Sequence, residues 1–180
     1  VSGKVTPSGK LTDTWAYKYE DYPNSETFSH NNGNVEREYY EEGIYVGYRW
    51  FDSFGKTPAY PFGYGMSYTS FSIETIDTTV QESEVTVTLR VTNTGEKYSG
   101  REVVQLYVSS PEGRLDKPYQ ELVAYAKTKK LKPGQSEDVA VSFSIDQMAS
   151  YDEETAAWIW EKGSYIIRAG EHSRATKIAA

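Results

Sequence analysis

The sequence predicts a mainly β protein: an antiparallel β-sandwich preceded by an irregular, aromatic-rich segment. Three observations carry this. Beyond residue 69 apolar and polar residues alternate in short runs, the period of strands with one buried face. Turn chemistry separates the runs without helical stretches between them. Before residue 69 the chain is rich in Tyr, Gly, Pro, Asn and Glu with little periodicity, and residues 41–71 hold ten aromatic rings.

The expected division is residues 1–68 and residues 69–180. In the first part, Ile44–Asp52, IYVGYRWFD, is dense in β-formers and is expected to be a buried strand closed by the DSFGK turn. In the second, EVTVTLRVTNTG places Val85, Val87, Leu89 and Val91 on one face, and EDVAVSFSI repeats the pattern with Val139, Val141, Phe143 and Ile145. REVVQLYVSS, apolar on both sides, is expected to be a central strand buried on both faces. YQELVAYAK, GSYIIRAG and ATKIAA supply further strands, and DQMASYDEETAAW has room for one short helical turn. In LKPGQSE, Pro133 and Gly134 fit the two central positions of a type II turn.

Composition narrows the function classes. With 26 acidic and 19 basic side chains in 180 residues, the net charge of −7 disfavours nucleic acid and anionic membrane as partners. There is no cysteine, hence no disulfide or thiolate chemistry, and no apolar run near the roughly 20 residues of a membrane helix. His30 and His172, far apart in polar turns, read as surface histidines and leave no metal site. GMSYT lacks the second glycine of a nucleophile elbow, and NNGN and GYG lack the spacing and lysine of a phosphate loop. No cofactor is implied, and nothing fixes the compartment.

Carboxylates are abundant, and glycosidase chemistry needs two about 5–5.5 Å apart in a retaining enzyme. Glu41 with Glu42, Glu20 with Asp21 and Glu153 with Glu154 read as solvated charges. Asp52 reads as a turn acid that accepts N–H groups from SFGK. Arg49 with Asp52, and Arg101 with Glu102, are expected as structural ion pairs. Trp158 and Trp160, two apart, share one face if extended.

PSGKLTDTW, EEGIYVGYRWFD and YPFGYGMSYTSF resemble the end of the α/β sandwich domain of glycoside hydrolase family 3 β-glucosidases. VTNTG, GREVVQLYV, KPYQELVAYAKT, LKPGQSEDVAVSF and SYDEETAAWIWEKGSYIIRAG resemble the fibronectin type III-like (immunoglobulin-like) domain that follows it. The resemblance implies the C-terminal, non-catalytic part of a retaining enzyme that hydrolyses terminal non-reducing β-glucosyl residues, with both catalytic carboxylates elsewhere. Its implied partners are the barrel and α/β sandwich of that enzyme and, through the complete enzyme, a β-glucoside or cello-oligosaccharide. A start without methionine, on turn residues, agrees with a piece of a longer chain. Tyr45, Tyr48, Trp50, Phe51, Phe62, Tyr64 and Tyr68 are then expected at the domain junction, with Trp50, Phe54 and Tyr39 the candidates for an outer subsite wall. An independent carbohydrate-binding or protein-interaction β-sandwich module is the alternative.

Overall fold

The computed structural model describes residues 3–180, apart from the His30 side chain, on which the expectation for that residue falls. It is mainly β. One sheet holds three antiparallel strands in the order β1 (Phe71–Gln81), β2 (Glu84–Asn93), β5 (Ser136–Ser144). The other holds β4 (Glu121–Lys127), β3 (Val103–Ser109), β8 (Ile166–Gly170) and β9 (Thr176–Ile178), also antiparallel. A separate hairpin joins β6 (Ser150–Asp152) to β7 (Ala157–Ile159).

The alternation explains the layering. Val85, Val87, Leu89 and Val91 of β2 are buried against Val104, Leu106 and Val108 of β3, with Val141, Phe143, Ile167, Ala169 and Leu131 completing one core. On the outer face of the first sheet the same strands carry a polar ladder. Thr86 meets Ser142 at 2.8 Å, Thr92 meets Ser136 at 2.7 Å, and Arg90 forms a bidentate pair with Asp138. The Gly134 amide lies in the left-handed region at φ 75°, and Gln135 N donates to Lys132 O across it, as the Pro133–Gly134 turn requires. In DQMASYDEETAAW the helical turn is a single 3₁₀ turn, Ile145–Met148, and the rest is the β6–β7 hairpin.

Strand β3 is buried on both faces, as its composition predicts. Its second face, carrying Gln105, Tyr107 and Ser109, lies beneath residues 3–68. Those residues are mostly irregular, crossed by an isolated bridge between Trp15 and Tyr60 and by the short helix α1, Tyr48–Ser53.

That helix corrects the strand expected over Ile44–Asp52. Gly47, at φ 58° and ψ −129°, turns the chain out of extended geometry, and the following residues coil. The coil puts Phe51, which is fully buried, and Tyr48 on the side facing the sandwich, whereas an extended run would send neighbouring rings to opposite sides. Packing therefore overrides β-propensity across six residues.

Candidate functional site

The described residues in which chemistry-bearing side chains converge form a seam between α1 with its flanking loops and the β4–β3–β8–β9 sheet. Asp52 is its centre. Its carboxylate is 3% exposed, pairs with Arg174 Nε at 2.6 Å, and accepts from Gln120 Nε2 at 2.9 Å. The same Gln120 amide donates to Ser173 O at 2.8 Å, and Arg174 also donates to the carbonyls of Phe51 and Lys56. Burial pushes the Asp52 carboxyl above the usual carboxylate range, against the lowering influence of Gln120 and Arg174. With both oxygens engaged by a cation and an amide, Asp52 is a strut between α1 and the β8–β9 turn. The expected cap onto SFGK is not what it makes.

Two expected ion pairs are likewise replaced. Arg49 pairs with Glu121 at 2.9 Å, so Arg49 and Asp52 bind different partners on the sheet. Glu102, 6% exposed, pairs with Lys10 at 2.6 Å instead of Arg101. Glu102 is buried and takes in Lys10 a partner buried with it, whereas Arg49 and Glu121 are each 38% exposed and meet at the rim of the seam.

Most other polar contacts of the seam are hydrogen bonds between a side chain and backbone. Tyr48 OH accepts from Leu122 N at 2.9 Å, Ser53 Oγ from Tyr119 N at 2.8 Å, and Phe62 O from Ser173 N at 3.0 Å. Gln105, buried on β3, donates to Gly63 O at 3.2 Å and Glu171 O at 2.7 Å, and its Oε1 accepts from Tyr107 OH at 2.6 Å. Gly63 is obligatory here: its φ is 79°, and a Cβ would stand 2.1 Å from Gln105 Oε1. Tyr107 is fully buried, and its pKa is raised by that burial, which keeps the hydroxyl a donor.

Aromatic rings fill the space between these struts. Tyr48 lies 4.7 Å from Phe62 and 5.9 Å from Tyr107, and Phe51 meets Tyr22 edge-on at 5.9 Å. Tyr64 meets Tyr60 at 5.5 Å and the His172 ring at 5.9 Å. His172 is thus half-buried and not on the open surface, and burial lowers its pKa. Tyr68 departs from the junction group. It is 40% exposed and stacks on Tyr98 of the sandwich.

Of the three wall candidates, α1 brings two together. Trp50 and Phe54, one helical turn apart, have centroids 4.3 Å apart, and Tyr45 lies 4.9 Å from Phe54. Trp50 Nε1 donates to Asp21 O at 2.9 Å, and Lys56 Nζ sits 5.4 Å from the Trp50 ring centroid. Phe54 is 52% exposed. Tyr39 is exposed on the preceding loop and forms none of the ring pairs among the described residues. A groove of about 520 Å³ runs beside this cluster, lined by Tyr22, Asn24, Glu41, Glu42, Tyr45 and Trp50. Asn24 Nδ2 donates to Glu42 within it at 2.6 Å.

Sequence reasoning missed Arg174, Gln120, Glu121 and Asp116, the sheet-side halves of these pairs. Asp116 binds the Tyr45 hydroxyl and pushes its pKa up to about 12. All four lie in turns or at a strand start, tens of residues from their partners, where no local pattern marks them.

With this geometry in hand, comparison with known proteins is direct. Residues 102–173 match the fibronectin type III-like domain family. The whole chain is 41% identical to β-glucosidase A of Butyrivibrio fibrisolvens, covering 98% of this chain and 23% of that enzyme. Among solved structures, a β-glucosidase from Paenibacillus barengoltzii superposes with a TM-score of 0.92 at 42% identity, over 99% of this chain and 20% of that one. β-Glucosidase 3B of Thermotoga neapolitana, solved with α-D-glucose, gives 0.88 at 39% identity, over 99% of this chain and 25% of that one. The chain therefore spans between a fifth and a quarter of these relatives' length.

Proposed function

From a chain that belongs with the β-glucosidases of glycoside hydrolase family 3 over nearly its whole length, we infer a structural role within a larger retaining β-glucosidase. Residues 1–68 are the end of an α/β sandwich domain and residues 69–180 the fibronectin type III-like domain. The chain is the C-terminal portion of the enzyme. The complete enzyme removes terminal non-reducing β-glucosyl residues from a β-glucoside or cello-oligosaccharide through a covalent glycosyl intermediate. Its barrel and its α/β sandwich are this chain's partners.

The observation that carries this reading is the seam. Asp52, the most deeply buried carboxylate of the aromatic segment, is spent on Arg174 and Gln120, and the aromatic rings are spent on packing. What the arrangement does is lock an irregular, functionally placed loop region onto a rigid sandwich. In the same reading Trp50, Phe54 and Tyr39 form the outer wall of a substrate subsite, supported by the Trp50–Phe54 pair and the groove that Glu41, Glu42 and Asn24 share with it.

Two measurements test this. The complete polypeptide hydrolyses p-nitrophenyl β-glucoside and the 180-residue chain alone does not; turnover by the isolated chain overturns the assignment. In the complete enzyme, Trp50→Ala raises KM for cellobiose several-fold more than KM for the p-nitrophenyl substrate. An unchanged cellobiose KM with lowered stability would reduce the wall to packing.

A further inference from the structure

The β6–β7 hairpin carries a second aromatic surface, remote in sequence from the wall cluster. Tyr151 lies directly opposite Trp158 in the hairpin register, and Trp160 follows two residues on, so the three rings share one face. That face is open: Tyr151 is 48%, Trp158 67% and Trp160 52% exposed. The rings are nonetheless held. Tyr151 and Trp158 meet at 5.4 Å, and Trp160 Nε1 donates to Ile145 O at 3.0 Å, which satisfies the indole N–H and leaves its faces free.

Beside the two tryptophans runs a groove of about 600 Å³, whose other wall is built by Arg49, Glu121, Leu122, Asp146 and Gln147. Its lining is mixed. Arg49 reaches Glu121 through Nη2, while its Nε is buried with no acceptor among the described residues, and Asp146 is exposed. Exposed indole faces beside donors and acceptors of both signs suit one chemistry well. A pyranose presents flat C–H faces for stacking and a rim of equatorial hydroxyls that both donate and accept. A nonpolar protein surface would strip water from the exposed Asp146 carboxylate and from the Arg49–Glu121 pair without replacing its hydrogen bonds, and an anionic ligand would meet Glu121 and Asp146.

We propose that the Trp158–Trp160 groove is a secondary binding site for a neutral β-glucan chain, distinct from the outer subsite beside Trp50. Trp158 and Trp160 supply the stacking faces, and Arg49, Asp146 and Gln147 meet the hydroxyls. Rings anchored before the ligand arrives lose little conformational freedom on binding, which favours a useful affinity from a small contact. Arg49 and Trp50 are adjacent on α1 and line different grooves, so a chain held in one lies close to the other. The proposal rests on the β-glucosidase reading for its ligand class.

The test is affinity electrophoresis of the complete enzyme through gels containing hydroxyethyl cellulose, with p-nitrophenyl β-glucoside hydrolysis measured on the same preparations. The hydrolysis assay reads the proposed activity and the gel reads the site, so each fails separately. Wild type is retarded; Trp158→Ala weakens the apparent Kd by about tenfold, the size of an ordinary aromatic anchor. Trp158→Phe, which keeps a stacking face, retains most of the retardation. Glu153→Gln, in the exposed hairpin turn, is retarded as much as wild type, each judged against its own migration in a gel without polysaccharide. Absence of retardation in the wild type, or equal retardation of wild type and Trp158→Ala, overturns the proposal. So does a Trp158→Ala enzyme whose thermal transition falls while its retardation is unchanged, which would show the face covered by the rest of the enzyme.

Discussion

Gln105→Leu is the sharpest probe of the seam. Leucine fits the space with little change of volume, so the substitution reads polar satisfaction and not a cavity. It removes the Gln105 partner of three groups: the buried Gly63 carbonyl, the buried Tyr107 hydroxyl and the half-buried Glu171 carbonyl. Each orphaned group costs about 1–3 kcal/mol, and the added apolar burial returns part of it, so about 2–3 kcal/mol is expected overall. In a chain of this size each kcal/mol moves Tm by about 2–4 °C, giving a fall of about 5–10 °C in thermal unfolding followed by circular dichroism. Thr92→Val, which removes an exposed contact with Ser136, serves as the reference and shifts Tm by no more than about 2 °C. Gln105→Glu adds a signature in pH. A buried glutamate there faces two carbonyl oxygens, so its folded pKa is expected above the unfolded value. Its stability relative to wild type is then best below about pH 4 and falls as pH rises through the folded pKa. A Gln105→Leu chain that melts with the wild type, or a Gln105→Glu deficit that is flat in pH, would refute the claim that this amide fastens the aromatic segment to the sandwich.

Gly63→Ala places a Cβ against the Gln105 side chain in a left-handed backbone, and a loss of about 1–3 kcal/mol is expected in denaturant unfolding. Combined with Gln105→Leu the losses do not add, because both act on one contact; strict additivity would count against it. Asp152, held by Arg114 and by Thr155, has its pKa lowered to about 2. The folded pKa is below the unfolded one, so the stability this carboxylate contributes is complete above about pH 4 and disappears as pH falls toward 2. The Tm difference between wild type and Asp152→Asn should accordingly narrow across that window, and a constant difference from pH 6 to pH 2 would refute the assignment.

The sandwich was legible because a half-buried strand writes its period into the chain. Val85, Val87, Leu89 and Val91 all point inward, and Val103–Ser109, apolar on both sides, is covered on both sides. Helix α1 was not legible, since Tyr48–Ser53 is too short to show a 3.6-residue period and consists largely of residues that favour strands. The seam was invisible for a different reason. Asp52 and Arg174 are 122 residues apart, and Arg49 and Glu121 are 72 apart, so nothing local distinguishes these charges from solvated ones. With Trp158 and Trp160, spacing told that they share a face, whereas exposure depends on what packs against the hairpin. The resemblance puts the named rings at a domain junction, and the exception, Tyr68, lies beyond the last seam contact.

The distribution of exposed side chains now separates a brace from a free-standing module. On the first sheet, the outer face is a ladder of Thr, Ser and an Arg–Asp pair, and apart from Ile76 and Val80 on the edge strand the sheet's large apolar residues are buried or partly buried. Such a face is at ease in water. The second sheet's outer face is covered in part by residues 3–68, with Gln105 bound to Gly63, Tyr107 against Tyr48 and Gln120 bound to Asp52, while Tyr125 on the same face stays exposed. Exposed large apolar side chains gather mainly on the outside of that segment, at Trp15, Tyr17, Tyr40, Phe54, Tyr60 and Met66, and on the β6–β7 hairpin. A module evolved to stand alone has no reason to carry the first group, which is a sticky surface unless a neighbour covers it. The hairpin group differs because Asp146, Gln147 and the Arg49–Glu121 pair share its groove, where a dry protein contact would strip their water without replacing it. On the proposed reading the two surfaces take different occupants: the rest of the enzyme on the aromatic segment, and a hydroxyl-rich chain along Trp158 and Trp160.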